Sequence, residues 1–540
     1  MRYGKIFNPS LTHSLLSRVG KKEIMVEVLW TLLSYIPKIV AVVYIYEVLK
    51  RTTRISPKKP LLTNLIDALL KIPFMLRLGA WGRPNDINEG CNILIIYHIT
   101  TILYLTPSFC ISLSLPSLPF HSVAVILAIK STGLSEFSCA TANTKQLTNN
   151  NDNSNDGDDD DKAGFIERYT VARQLGLKRS NAEYSPTGYV LALNTLQRRM
   201  EDRLRLVEYL NNHPEVSSIE MKPPVFAVGF PRTGTTFLHE LLGLHPNVRM
   251  HYTWEQMSPV PLSNDTSIEA LGKDRKTRYI KNKSRMQWFL TLAGDAIQNI
   301  HRVGYDEPEE CTTPLASDLP WSIPEIGFIT YAAEEVNKIG AGHAFEHYYE
   351  YLQLLTFQAK ERRNVDFTWM LKCPFHLPYL SELYKAFPGS TVVWTHRDPC
   401  ECIASACSLY ETIMAFTLEP NSIDRAALGR AVLNYTKQAL LRAFKTLESE
   451  KVNIIHVKYK DTIKSPKLVT EKIYKQTGID YTKEYNDKLD EYLKENEAKR
   501  AAAKSKNEKK EMHTYNLLDY GLTKAWVQKE FQDYINDYCN

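Results

Sequence analysis

The chain has 540 residues, 24% of them charged and 44% apolar, with a formal net charge of +5. This balance excludes a disordered chain and leaves room for one large or two ordinary domains. So slight a charge gives no footprint for nucleic acid, and nine cysteines without a CxxC…CxxC or Cys/His pairing give no basis for a zinc site or disulfide framework.

In chain order, the first candidate element is 28–46 (VLWTLLSYIPKIVAVVYIY). It is long enough to cross a bilayer and carries one charge, Lys38, beside Pro37. A buried or interfacial helix is the alternative. Lys21 and Lys22 on one side, and Lys50, Arg51 and Arg54 on the other, leave its orientation open. Residues 90–129 contain no Asp, Glu, Lys or Arg. Their apolar ends suit a membrane, whereas the central TPSFCISLSLPSLPF resembles translated non-coding sequence. Part of 85–160 is therefore expected to be a gene-model artefact, an expectation that a mature transcript encoding the segment unchanged would overturn. These features define an apolar, membrane-associated helical region over 1–130. Residues 131–162 form a linker ending in the acidic run NNNDNSNDGDDDDK, which cannot build a core.

Residues 163–222 read as a helical lead-in, with apolar residues at helical spacing through 210. From 223 onward short β-rich runs each lead into a helical stretch. They are VFAVG (225–229), FTWML (367–371), TVVWT (391–395) and NIIHV (453–457). Continuously apolar strands alternating with helices predict an α/β domain over 223–540, a parallel sheet flanked by helices.

The stretch VFAVGFPRTGTTFLHELL (225–242) places a buried strand, a short loop and a helix start near Thr235 in succession, which aims backbone N–H groups at an anion. Compared with the nucleotide-triphosphate loop G-x-x-x-x-G-K-[ST], Gly229, Gly234 and Thr236 are in place, but Thr235 occupies the lysine position and the cation is Arg232. A γ-phosphoryl-transfer site needs that lysine. An arginine fork instead suits the oxygens of a single 5′-phosphosulfate.

P-R-[ST]-G-T-T after a strand resembles the 5′-phosphosulfate loop of the sulfotransferase superfamily, in particular the tyrosylprotein sulfotransferases and the sulfotransferase-domain proteins related to them. The resemblance implies that Arg232, Thr233, Gly234, Thr235 and Thr236 hold the donor PAPS. In THRDPCECIASACSLY (395–410), Arg397 stands at a strand-to-helix turn and Ser405 eight residues later, the family's spacing for the 3′-phosphate. The plainer alternative pairs Arg397 with Asp398. WMLKCPFHLPYL (369–380) supplies Lys372, which the resemblance assigns to the transferring group, and His376, displaced from the family's histidine register. HPNVRMHYTWEQM (245–257) supplies Glu255, where the family places a catalytic Glu. VKYKDTIKSP (457–466) resembles a strand whose tyrosine, here Tyr459, lies near the nucleotide.

Together these motifs predict in-line transfer of a sulfuryl group from PAPS to a hydroxyl or amine acceptor, with PAP as product and no metal. Glu255 or His376 would take the acceptor's proton, and Lys372 and Arg232 would stabilise the charge that develops. The aromatic-rich 256–366, with Trp288, Trp321, Tyr348, Tyr349 and Tyr351, is expected to contain much of the acceptor pocket. The alternatives are a membrane-bound P-loop kinase or NTPase and a non-catalytic nucleotide-binding membrane protein. By analogy with anchored relatives, a single-pass or N-terminally anchored enzyme of the Golgi or ER is expected, with the cytosolic face left open.

Overall fold

Five parallel strands form one sheet in the order β2-β3-β1-β4-β5: β1 Val225–Gly229, β2 Val248–Arg249, β3 Thr368–Lys372, β4 Thr391–His396 and β5 Asn453–Lys458. The computed structural model describes residues 171–293, 304–316, 319, 326–359, 366–419, 422–505 and 516–540. The candidate membrane segment 28–46, the uncharged stretch 90–129 and the acidic linker fall outside the described residues. Among the described residues, no helix is long and apolar enough to cross a membrane.

Both sheet faces are covered, which is why the strands are apolar throughout. Alternate residues point to opposite faces. Val225, Met370 and Val393 join Ile455 and Val457 under one set of helices, α2 Thr235–Gly243, α9 Pro466–Thr477 and α10 Lys483–Ser505. Phe226, Val228, Trp369, Leu371, Val392 and Trp394 enter the larger core on the other face. That core also takes residues from α1 Pro186–Asn212, α4 Ile326–Ile339, α5 Gly342–Gln358, α6 Pro399–Met414 and α7 Arg425–Ser449. Trp369 and Trp394 are fully buried; truncating such a ring costs about 3–5 kcal/mol.

Two predicted elements differ from the observed ones, and one observed strand is additional. The lead-in is not one helix to 210: helical through 180, it breaks where Asn181 takes φ 53° and restarts at Pro186, capped by the Ser185 side chain accepting from Gly188 N. Leu206, Tyr209 and Leu210 then enter the sheet's own core, so the lead-in packs as part of the domain. The run predicted at 367–371 begins and ends one residue later, bringing Lys372 into β3. The short edge strand β2 was not predicted.

The connections place the site. From the central β1 the chain moves out to β2 and β3 on one side, then crosses to β4 and β5 on the other. In parallel sheets ligands bind beyond the carboxyl ends of the strands where this direction reverses. The carboxyl ends of β3, β1, β4 and β5 carry Lys372, the 229–235 loop, Arg397 and Tyr459.

Candidate active site

The loop after β1 is held shut from within. Phe230 O accepts from Thr233 N at 3.2 Å and from Thr233 Oγ1 at 2.8 Å, and Thr233 Oγ1 lies 2.7 Å from Thr395 Oγ1 on β4. The Thr233 side chain is thus buried in the loop's own scaffold. Arg232 adopts φ 75°, a left-handed conformation that costs a non-glycine residue about 1–2 kcal/mol. Gly234 follows at φ 86° as the N-cap of α2. The first bond of that helix runs from Leu238 N to Gly234 O at 3.1 Å, leaving the N–H groups of Thr235 and Thr236 outside the helix ladder. Orphan donors beside a helix N-terminus favour an anion.

Two motifs far apart in sequence meet on this loop. Arg232 Nε donates to Ser405 Oγ of α6 at 3.0 Å, and Arg397 Nη1 donates to Arg232 O at 2.9 Å. Arg397 also pairs with Glu401 at 2.7 Å and stacks its guanidinium 4.3 Å from the centroid of Tyr459. In place of the alternative pairing with Arg397, Asp398 takes a capping role, since its Oδ1 accepts from Cys400 N at the start of α6. Tyr459 opens α8, Tyr459–Lys464, and covers Gly234.

On the other side of the loop, Lys372 Nζ donates to Thr236 Oγ1 at 3.2 Å and to Glu310 Oε1 at 2.7 Å. Burial alone would lower the Lys372 ammonium. The neighbouring Glu310 and Glu309 carboxylates outweigh it and raise the group above the usual lysine value, so it stays charged. Glu310 was not singled out in the sequence. It lies in the run 306–310 (DEPEE), and Cys311 N donating to Lys372 O at 3.0 Å fixes it beside the lysine. Glu310 N donates to Glu309 Oε1 at 2.8 Å, and Gln256 Nε2 donates to Glu310 O at 3.0 Å.

The two predicted bases are engaged in contacts of their own. Glu255 sits in α3, Thr253–Met257, with its side chain 4% exposed. Its Oε1 accepts from Arg249 Nη2 at 2.6 Å and its Oε2 from Tyr252 N at 3.1 Å, which caps the helix. Arg249 in turn lies 4.4 Å over the Trp369 ring. His376 is wholly buried on a 3-10 turn, Pro374–Tyr379, among the rings of Phe226, Phe345 and Tyr348. Burial pushes it down to about 3, so it remains neutral. Of the aromatic residues expected around an acceptor, Tyr348 and Tyr351 are core and Tyr349 is half-buried, while Trp321 lies outside the described residues.

Among the described residues, no group of three or more His, Cys, Asp or Glu side chains is placed to hold a metal ion. The chemistry gathered here is a set of fixed cations and orphan N–H groups around a helix start, with one carboxylate touching the buried lysine.

Residues 223–483 match the family model Sulfotransfer_3, described as the Sulfotransferase family. The sulfotransferase STF9 from Mycobacterium avium is similar in structure, with a TM-score of 0.58 at 23% identity over 76% of this chain and 95% of that one. The sulfotransferase STF1 from Mycobacterium tuberculosis H37Rv gives 0.57 at 22% identity, over 76% of this chain and 97% of that one. Likenesses at these identities speak to the fold. No curated protein matches the chain in sequence. The family match spans all five strands and every site residue described above, so residues 223–483 carry the sequence pattern of the sulfotransferase family across the sheet and the site.

Proposed function

We propose that this protein transfers the sulfuryl group of PAPS to a hydroxyl or amine of a carbohydrate, small-molecule or protein acceptor by in-line displacement, with PAP as the other product. The observation that carries this reading is the convergence of Arg232, Arg397, Ser405 and Tyr459 on one side of the loop, with Lys372 on the other. A nucleotide with a 5′-phosphosulfate and a 3′-phosphate needs two anion sites beside one helix start. The orphan N–H groups of α2 with Thr236 and Lys372 suit the first, and Arg397 with Ser405 suits the second. Thr235, in the position of a phosphoryl-transfer lysine, weighs against a kinase or NTPase.

Lys372 and Arg232 would balance the negative charge that grows on the sulfuryl and leaving phosphate oxygens, and both are held before any reaction begins. Calorimetric titration of PAP into the full chain, beside Arg397→Ala and Arg232→Ala, tests the donor reading. Affinity that falls about 10- to 100-fold in each variant is expected from losing a charged hydrogen-bonding group. Absent PAP binding, or a preference for ATP with magnesium, would overturn it.

We also read the apolar 28–46 as the tether of a membrane-anchored enzyme of the Golgi or ER. Recovery of the expressed full chain in the supernatant after alkaline carbonate extraction would sink that reading.

A further inference from the structure

We propose that Glu310 is the catalytic base of the sulfuryl transfer, in place of Glu255 and His376; this rests on the reading of the site as a PAPS-dependent transfer centre. The Lys372 ammonium bridges Glu310 Oε1 and Thr236 Oγ1 at 2.7 and 3.2 Å. One cation thus separates this carboxylate from the first turn of α2, where the phosphosulfate binds. A proton acceptor has to lie within hydrogen-bond reach of a nucleophile that itself approaches the sulfur. Glu310 is the carboxylate in contact with Lys372.

Its environment suits the role. Oε1 is taken by Lys372, while Oε2 accepts no hydrogen bond among the described residues. The side chain is 18% exposed, against 4% for Glu255, so an acceptor has a way in. Glu310 is held by its backbone: N to Glu309 Oε1, O from Gln256 Nε2, and the following Cys311 N to Lys372 O. The carboxylate is therefore positioned without using its second oxygen.

The neighbouring candidates are engaged otherwise. Glu309 Oε1 receives the Glu310 N–H, and His239 Nε2 bonds Met370 O at 3.0 Å beneath the sheet end. Burial raises the Cys311 thiol to about 12, which keeps it protonated.

In the step, the acceptor's O–H bond breaks and its proton passes to Glu310 Oε2. The freed oxygen pair forms the new S–O bond. The bond between sulfur and the 5′-phosphate oxygen breaks, and its electron pair leaves with PAP. Glu310 then returns the proton to solvent. Lys372, charged throughout, stays between the carboxylate and the sulfuryl oxygens and screens their repulsion.

The test uses the full chain with radiolabelled PAPS, and water and phenol as acceptors, under single-turnover conditions at neutral pH. Glu310→Gln preserves size and can still accept from Lys372. It is expected to keep PAP affinity within about threefold and to lose roughly 100- to 10,000-fold in rate, the usual contribution of general base catalysis. Glu310→Asp should recover part of the rate. A Glu310→Gln rate within tenfold of wild type would overturn the assignment. So would Glu255→Gln giving that loss instead. Wild type that binds PAP but consumes no PAPS with either acceptor also overturns it. Wild type that fails to bind PAP sinks the donor reading itself, which separates the two failures.

Discussion

The ring of Tyr459 occupies the space that a side chain at Gly234 would need: a Cβ built there stands 2.6 Å from Tyr459 Cδ2 and 2.8 Å from Cε2. The close approach couples the loop after β1 to the residue after β5, across β4. It also leaves the Tyr459 ring as the surface on which Arg397 stacks. The loop after β1 and Arg397 are thus set relative to each other by one tyrosine resting on one glycine.

Gly234→Ala should therefore damage donor binding out of proportion to its size. The new methyl must push Tyr459 away, and φ 86° costs an alanine about 1–2 kcal/mol. PAP affinity is expected to fall at least tenfold, with part of the loss restored in Gly234→Ala/Tyr459→Ala, where the clash is gone. Unchanged calorimetric affinity in the single variant would show that the loop tolerates another path.

Lys372→Met removes the ammonium that touches both Thr236 and Glu310. Loss of one preorganised donor at a developing anion raises the barrier by about 3–4 kcal/mol. The single-turnover rate should fall roughly 100- to 1,000-fold, with PAP affinity within about tenfold because the product lacks the sulfuryl group. Combined with Glu310→Gln, the losses should be less than additive, since both act through one contact. Strict additivity of the two rate effects would show that they work independently.

The legible parts of the molecule were those where chemistry is local in sequence. β1 was read with its observed bounds, and β4 and β5 to within one residue, because each is an apolar run closed by a turn. Arg232, Gly234, Lys372, Arg397 and Tyr459 all lie within a few residues of a strand's carboxyl end, so a strand followed by a motif placed them. β2 escaped because two residues show no periodicity; it exists through its pairing with Thr368 and Trp369. Glu310 escaped for a different reason. Asp306, Glu307, Glu309 and Glu310 look alike as a run, and only the bond from Cys311 to Lys372, a residue far along the chain, selects one of them. The acidic cluster itself, in a region otherwise rich in aromatic and basic residues, was the available signal. Glu255 stayed ambiguous in the sequence because a Trp-Glu pair near a helix start reads equally as a base or as a helix cap; in the structure it caps α3 and holds Arg249.

The Arg249–Glu255 pair should show itself as stability. Both side chains are largely buried, and removing one partner strands the other charge at a cost of about 3–5 kcal/mol. Glu255→Gln is expected to lower the urea midpoint accordingly, and Arg249→Met/Glu255→Leu to recover much of it. A midpoint equal to that of wild type would mean that the pair is not load-sharing in the fold.

Acid should unfold this protein through its buried histidines. His239, His251, His376 and His396 are each depressed to about 3, in every case chiefly by burial. In the unfolded chain each takes a proton near pH 6.5. Above that pH both states are neutral and the stability is whole. As pH falls from 6.5 toward 3 the unfolded state binds protons that the folded state refuses, and each histidine removes up to about 1.4 kcal/mol per pH unit. A folding margin of about 5–15 kcal/mol shared by four such groups should be exhausted between roughly pH 6 and 4. Urea unfolding at pH 7.5, 6.5, 5.5 and 5 reads this directly. His376→Phe, which replaces one ring among Phe226, Phe345 and Tyr348 with another, should weaken the acid dependence by one proton's worth while leaving PAP affinity within about threefold. Stability that stays level down to pH 5 would show that these rings meet protons in the folded state as readily as in the unfolded one.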